Sequence, residues 1–178
     1  MKICIYGSAS EKISDSYKKA VYSLSKTLAT NGHDLVFGGG CFGLMGAAAN
    51  GFFDGGGKIY GVAPDFFKES EINVLYDKCD KTYPCKTMYE RKQIMEELSD
   101  AFLVVPGGIG TYDEFFGVLA TRQLKRHDKK IAVFNTEGFF NELKSLIVSG
   151  NEKGFIGEYE NLFFISDKES EIVGYFSE

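Results

Sequence analysis

The chain has 178 residues, 44% of them hydrophobic and 25% charged, with a formal net charge of −5, which suits one globular domain with a sizeable core. The acidic balance argues against a general nucleic-acid binder, which needs a basic face to release phosphate counterions, yet a local pocket can still hold one phosphate. No apolar run approaches a membrane span, and the opening MKICIYGSAS is too short and strand-like for a signal peptide, so a soluble, cytoplasmic chain is expected.

In chain order, Lys2 to Tyr6 reads as a strand stopped by Gly7-Ser8. A helix follows, with Ser14 or Asp15 as N-cap, Tyr17, Val21, Leu24 and Leu28 on one face, and Asn31-Gly32 closing it. Asp34 to Phe37 is a short strand running directly into Gly38-Gly39-Gly40. A small-residue helix covers about Leu44 to Phe53 and ends at Gly55-Gly56-Gly57; the next strand, Lys58 to Val62, is stopped by Pro64. Asp65 to Pro84 is aromatic and charged and suggests a short helix or strand with irregular connections. Thr87 to Leu98 reads as a polar helix, Ala101 to Val105 as an apolar strand, and Thr111 to Lys125 as a helix. A strand at Ile131 to Phe134, a helix at about Phe139 to Val148, a strand at Leu162 to Ile165 and a short final helix complete the chain.

Strands alternating with helices at this spacing imply βαβ units: an α/β fold with a mostly parallel sheet covered on both faces. Ligands of such sheets sit at the carboxyl ends of the strands. Three glycine-bearing turns fall there, Gly7-Ser8, Gly38 to Gly46 and Pro106 to Thr111, and one site served by all three is the simplest arrangement.

Gly38 to Gly46, GGGCFGLMG, contains the pattern GxGxxG, which serves equally as a phosphate cradle or as a tight strand-to-helix turn. It follows the second strand rather than the first, so it fits the dinucleotide fingerprint poorly. Pro106 to Glu114, PGGIGTYDE, is the sharper signal. There a buried strand delivers a glycine loop to a helix start, where the N–H groups of Gly108, Ile109, Gly110 and Thr111, with the Thr111 hydroxyl, can surround a phosphate. No GK[ST] follows, which favours a monophosphate. Thr111 could instead be an ordinary N-cap, with Glu114 three residues on completing a capping box. Arg91, on the helix before that strand, is a natural charged partner for phosphate or for Glu114, or else half of a solvated Arg91-Lys92 pair. The four cysteines (Cys4, Cys41, Cys79, Cys85) form no CxxC pair, and with only His33 and His127 present neither a metal site nor a Ser-His-Asp triad is expected.

Three segments together, GGGCFGLMG, MYERK at Met88 to Lys92 and PGGIGTYDE, resemble the Lonely Guy family, also catalogued as lysine decarboxylases. IYGSAS at Ile5 to Ser10 and QLKRHDK at Gln123 to Lys129 are similar to family positions as well, in order and register from Lys2 to about Ile156. The resemblance implies one Rossmann-like three-layer nucleotide-binding domain over residues 1–178, a homodimer, and a phosphoribohydrolase that needs no cofactor. Its substrate would be a nucleoside 5′-monophosphate, a cytokinin riboside monophosphate or AMP, split into free base and ribose 5-phosphate. Arg91 and Glu114 would be catalytic, and Gly107, Gly108, Ile109, Gly110 and Thr111 would hold the phosphate, with Gly7, Ser8, Gly39, Gly40, Met88 and Lys92 also contacting substrate. Decarboxylation would need a pyridoxal Schiff-base lysine, which nothing in the sequence marks. The chain departs from the family where Ala120-Thr121 replaces a frequent Thr-Trp, where Lys125 replaces Gly and Lys130 replaces Pro, and where Tyr89 replaces a frequent His. A non-catalytic carrier of a phosphorylated pterin such as molybdenum cofactor, or a nucleotide sensor, would use the same phosphate loop.

Overall fold

Strands that are apolar on both faces need cover on both faces, and here they have it. In the computed structural model, which describes residues 1–66 and 74–177, the strands are β1 (Lys2–Tyr6), β2 (Asp34–Phe37), β3 (Ile59–Pro64), β4 (Lys81–Cys85), β5 (Ala101–Val104), β6 (Lys130–Phe134) and β7 (Phe164–Ser166). They form one sheet in the order β4-β3-β2-β1-β5-β6-β7, and every pairing is parallel. The helices are α1 (Asp15–Thr30), α2 (Gly43–Gly55), α3 (Met88–Leu98), α4 (Ile109–Gln123), α5 (Asn141–Glu152) and α6 (Glu169–Ser177).

Alternation along each strand divides the core in two. Ile3 and Ile5 of β1, Leu35 and Phe37 of β2 and Leu103 of β5 pack with Leu24 and Leu28 of α1, Leu44 and Phe52 of α2 and Phe176 of α6. The intervening residues Cys4, Tyr6, Val36, Phe102 and Val104 pack with Met95 of α3, Phe115 and Val118 of α4 and Ile147 of α5. The result is the three-layer α/β arrangement expected from the sequence, with a sheet that is parallel throughout.

The differences from the sequence reading lie at ends and edges. Pro64, expected to stop β3, is its last residue and pairs in register with Cys85 of β4. β4 itself lies in the segment that reads ambiguously; residues 67–73 of that segment fall outside the described residues. Its sequence, KTYPC, carries a proline and mostly exposed positions, as an edge strand does, so it lacks the apolar pattern that marks a buried strand. Helix α4 starts at Ile109 with Gly108 as N-cap, two residues earlier than expected, so Thr111 is not the cap. Lys125, just past the end of α4, has φ of +54°, a left-handed conformation that glycine adopts more readily than lysine.

The first chain reversal in the sheet order falls at the β1/β5 crevice. The two strands stay zipped beyond their ends, because Val105 N–H donates to the Tyr6 carbonyl (2.9 Å) and Ser8 N–H donates to the Pro106 carbonyl (3.1 Å). That holds the Gly7-Ser8 and Pro106-Gly107 turns side by side, at the place where open parallel sheets form ligand crevices.

Helices α1 and α2 meet through glycine. A Cβ on Gly51 would lie 2.5 Å from the Tyr22 carbonyl oxygen and 2.7 Å from Ser25 Cβ. The obstacle is partly backbone, so Gly51→Ala should destabilise the chain by about 2 kcal/mol, in the range of core overpacking. Urea unfolding followed by circular dichroism checks this; an unchanged midpoint would mean that the helices separate freely there.

Candidate functional site

A cavity of about 570 Å³ opens over the carboxyl ends of β1, β2 and β5, a volume suited to a small ligand. All three glycine-bearing turns contribute to it: Gly7, Ser8 and Ala9 after β1, Gly38, Gly40 and Phe42 after β2, and Gly108, Gly110 and Thr111 after β5. Met88, Tyr89, Arg91, Lys92 and Met95 face it from α3, and Asp113 and Glu114 from α4. Three residues singled out from the sequence lie off its walls: Gly39, Gly107 and the strongly exposed Ile109. The sequence reading missed the apolar lining of Ile5, Phe42, Met45, Val74, Leu75 and Met95. Their only signal is hydrophobicity, which in a strand or helix is indistinguishable from ordinary core.

Arg91 and Glu114 come together at the cavity wall. Thr87 caps α3 by accepting the Glu90 N–H (3.1 Å), while the Glu90 carboxylate accepts the Lys86 N–H (2.7 Å), fixing the turn that carries Arg91. The Arg91 guanidinium donates through Nε to the Val62 carbonyl at 3.1 Å and places Nη1 3.4 Å from Glu114 Oε1. Both side chains are largely shielded, 13% and 12% exposed. Burial pushes the Glu114 carboxyl up to about 7, against the opposing pull of Arg91 and of Lys92. Lys92 itself is held by Asp113, Nζ to Oδ2 2.8 Å, so adjacent residues of α3 engage adjacent residues of α4. The capping-box reading of Glu114 gives way to this pairing: its carboxylate points at Arg91 rather than back along its own helix.

The two glycine-loop helix starts differ in what their N–H groups meet. At α2, Gly43 N–H donates to Glu11 Oε1 (3.1 Å), and Leu44 and Met45 donate to the Ser8 carbonyl (2.8 and 3.3 Å). That anion position is filled by the chain itself. At α4, the N–H groups of Ile109, Gly110 and Thr111 precede the first intrahelical bond, from Tyr112 to the Gly108 carbonyl, and meet no acceptor among the described residues. Thr111, nearly buried, lies so close to Gly107 that a Cβ there would stand 2.0 Å from Thr111 Oγ1. Gly107 therefore serves the loop from behind, by letting Thr111 fold over it. An anion is favoured at α4, where donors and helix dipole point the same way.

Among the described residues no group of three or more His, Cys, Asp or Glu is placed to hold a metal ion, and no helix is long and apolar enough to cross a membrane. All four cysteines are unpaired.

Comparison with known proteins gives two kinds of likeness. A family described as "Possible lysine decarboxylase" matches residues 45–176. A cytokinin riboside 5′-monophosphate phosphoribohydrolase of Arabidopsis thaliana is 37% identical over 155 residues, covering 87% of this chain and 72% of that protein. One of Oryza sativa subsp. japonica is 34% identical over 165 residues, covering 93% and 67%. Among solved structures, the molybdenum cofactor carrier protein of Chlamydomonas reinhardtii superposes with a TM-score of 0.75 over 99% of this chain and 95% of its own, at 20% identity. The molybdenum cofactor binding protein of Rippkaea orientalis gives 0.74, over 99% and 94%, at 21% identity. The latter two share the fold.

The raised Glu114 pKa has a consequence for stability. Between about 4.5 and 7 the folded chain keeps this proton while the unfolded chain has released it, so the contribution is full below that window and is lost as pH rises through 7. Glu114→Gln, which cannot ionise, should therefore gain stability relative to the unmodified chain as pH rises from 5 to 8. Urea midpoints of both proteins across that range provide the test, and parallel curves would place the carboxyl in a water-like setting.

Proposed function

This chain belongs to the family of the cytokinin riboside 5′-monophosphate phosphoribohydrolases, and on that basis we propose that it hydrolyses the N-glycosidic bond of a nucleoside 5′-monophosphate, releasing free base and ribose 5-phosphate. The observation that carries this reading is the largely shielded Arg91–Glu114 pair set in the same cavity as the open N-terminus of α4. Phosphate bound at Gly108, Gly110 and Thr111 would anchor the ribose within reach of Glu114, one helical turn further along α4.

Cleavage passes through a state in which positive charge develops on the sugar as the base departs. Ionised Glu114 stabilises that charge and accepts a proton from the attacking water, whose oxygen bonds to C1′ while the C1′–N electron pair leaves with the base. The proton needed by the base returns from solvent or from a cavity donor, and the sum is substrate plus water giving base plus ribose 5-phosphate. Arg91 keeps part of the Glu114 population ionised near neutral pH, because its charge opposes the effect of burial. The apolar residues Phe42, Met45, Val74 and Leu75 give the base an apolar wall, which suits a purine carrying an apolar substituent as well as adenine itself. A homodimer and a cytoplasmic setting belong to the same reading; the unpaired thiols accord with a reducing compartment.

Incubation with AMP and with N6-isopentenyladenosine 5′-monophosphate, following base and ribose 5-phosphate by chromatography, tests the proposal. Release is expected from at least one. Glu114→Gln should lower kcat by roughly 100-fold or more, and Thr111→Val should act mainly on KM. For the unmodified enzyme kcat/KM should rise with pH and level off above about 7, since the free enzyme needs Glu114 ionised. Tight binding of intact nucleotide or pterin phosphate without any product would sink the hydrolase reading and favour a carrier.

A further inference from the structure

We propose that Gly38 is a positioning residue: the absent side chain at the end of β2 is the space occupied by the Arg91 guanidinium, and seating that group is what the first glycine of the Gly38–Gly40 run does. A Cβ built on Gly38 would lie 1.5 Å from Arg91 Nη2, 2.7 Å from its Cζ and 3.4 Å from its Nε. These are its three nearest neighbours, so the obstacle to a side chain is the guanidinium itself. Gly38 is not among the residues with positive φ, so the backbone there accepts alanine without strain.

Two further contacts hold the guanidinium in this seat. The Val62 carbonyl takes Nε–H at 3.1 Å, and Glu114 Oε1 lies 3.4 Å from Nη1. Val62 and Gly38 are on and just beyond neighbouring strands, β3 and β2, whose parallel register pairs Phe37 with Gly61. The flat guanidinium thus lies across two strand ends with one edge turned to the carboxylate, a fit that lysine could not reproduce.

The rest of the glycine run is engaged within the chain. Gly40 forms an antiparallel bridge with Leu75, Cys41 N–H donates to the Val74 carbonyl (3.0 Å), and the Gly39 carbonyl accepts the Tyr76 N–H (2.8 Å). With the α2 N–H groups also occupied by Glu11 and Ser8, this loop is built to support Arg91 and the Val74-Leu75 wall of the cavity. The phosphate is left to the loop after β5.

The test compares Gly38→Ala, Arg91→Ala and the double variant. Because the displaced group is the end of a flexible side chain, G38A is expected to fold, with the guanidinium swung aside. The first readout is the Glu114 carboxyl titration, followed by carbon NMR in the full-length protein, which depends on no catalytic assumption. Losing the Arg91 charge should move it above its value near 7. G38A should move it upward as R91A does, and should add nothing in the R91A background. The kinetic readout rests on the hydrolase reading: G38A should lower kcat roughly 100-fold with KM changed less than about threefold, and the double variant should be no slower than R91A. A Glu114 titration in G38A matching that of the unmodified protein, or independent and additive effects of the two substitutions, would overturn the proposal. If no nucleoside monophosphate is cleaved by any of the proteins, the hydrolase reading falls, and the titration still decides the role of Gly38.

Discussion

The contact on which the site depends is the one between the Arg91 guanidinium and the Glu114 carboxylate, made where both are largely removed from water. Burial alone would leave Glu114 protonated at neutral pH, and Arg91 alone would hold it ionised well below that range. The two influences oppose each other, and burial prevails by enough to bring the carboxyl close to 7. A carboxyl poised there exchanges its proton readily near neutral pH. Each half of the pair comes from a different βα unit, so the sheet order is what brings them together.

That order also separates two similar-looking loops. Both the β2–α2 and β5–α4 connections are rich in glycine and lead into a helix. The first has its N–H groups taken by Glu11 and by the Ser8 carbonyl, and the second has its donors open toward the cavity. A carboxylate and a carbonyl from the β1–α1 connection occupy at α2 the position that an anion would take. One loop has its helix-start donors used within the chain and the other leaves them open, in line with the sharper signal of Pro106 to Glu114 in the sequence.

The family of phosphoribohydrolases and the molybdenum cofactor carriers show how little the fold specifies by itself. The carriers superpose over nearly the whole chain while sharing about a fifth of its residues. Function on such a scaffold therefore has to be argued from the site at the strand ends and not from the fold.

The sequence by itself determined the layers and the place of the site. Apolar strands alternating with amphipathic helices admit few arrangements other than a parallel sheet covered on both faces, and glycine turns at strand ends mark where a ligand sits. It also marked the Pro106–Thr111 loop, because a buried strand there delivers a glycine run to a helix start, whereas Arg91 and Glu114 stood out only through the family resemblance of MYERK and PGGIGTYDE. It left open whether Glu114 would cap its own helix or face Arg91, and it hid β4, whose polar, proline-bearing edge sequence carries no alternating pattern. The role of Gly38 was equally invisible, since its meaning lies in a guanidinium more than fifty positions away in the chain. Only the tertiary structure decided these points, because hydrogen-bond partners, burial and close approach are properties of distances between distant segments, and local sequence fixes none of them.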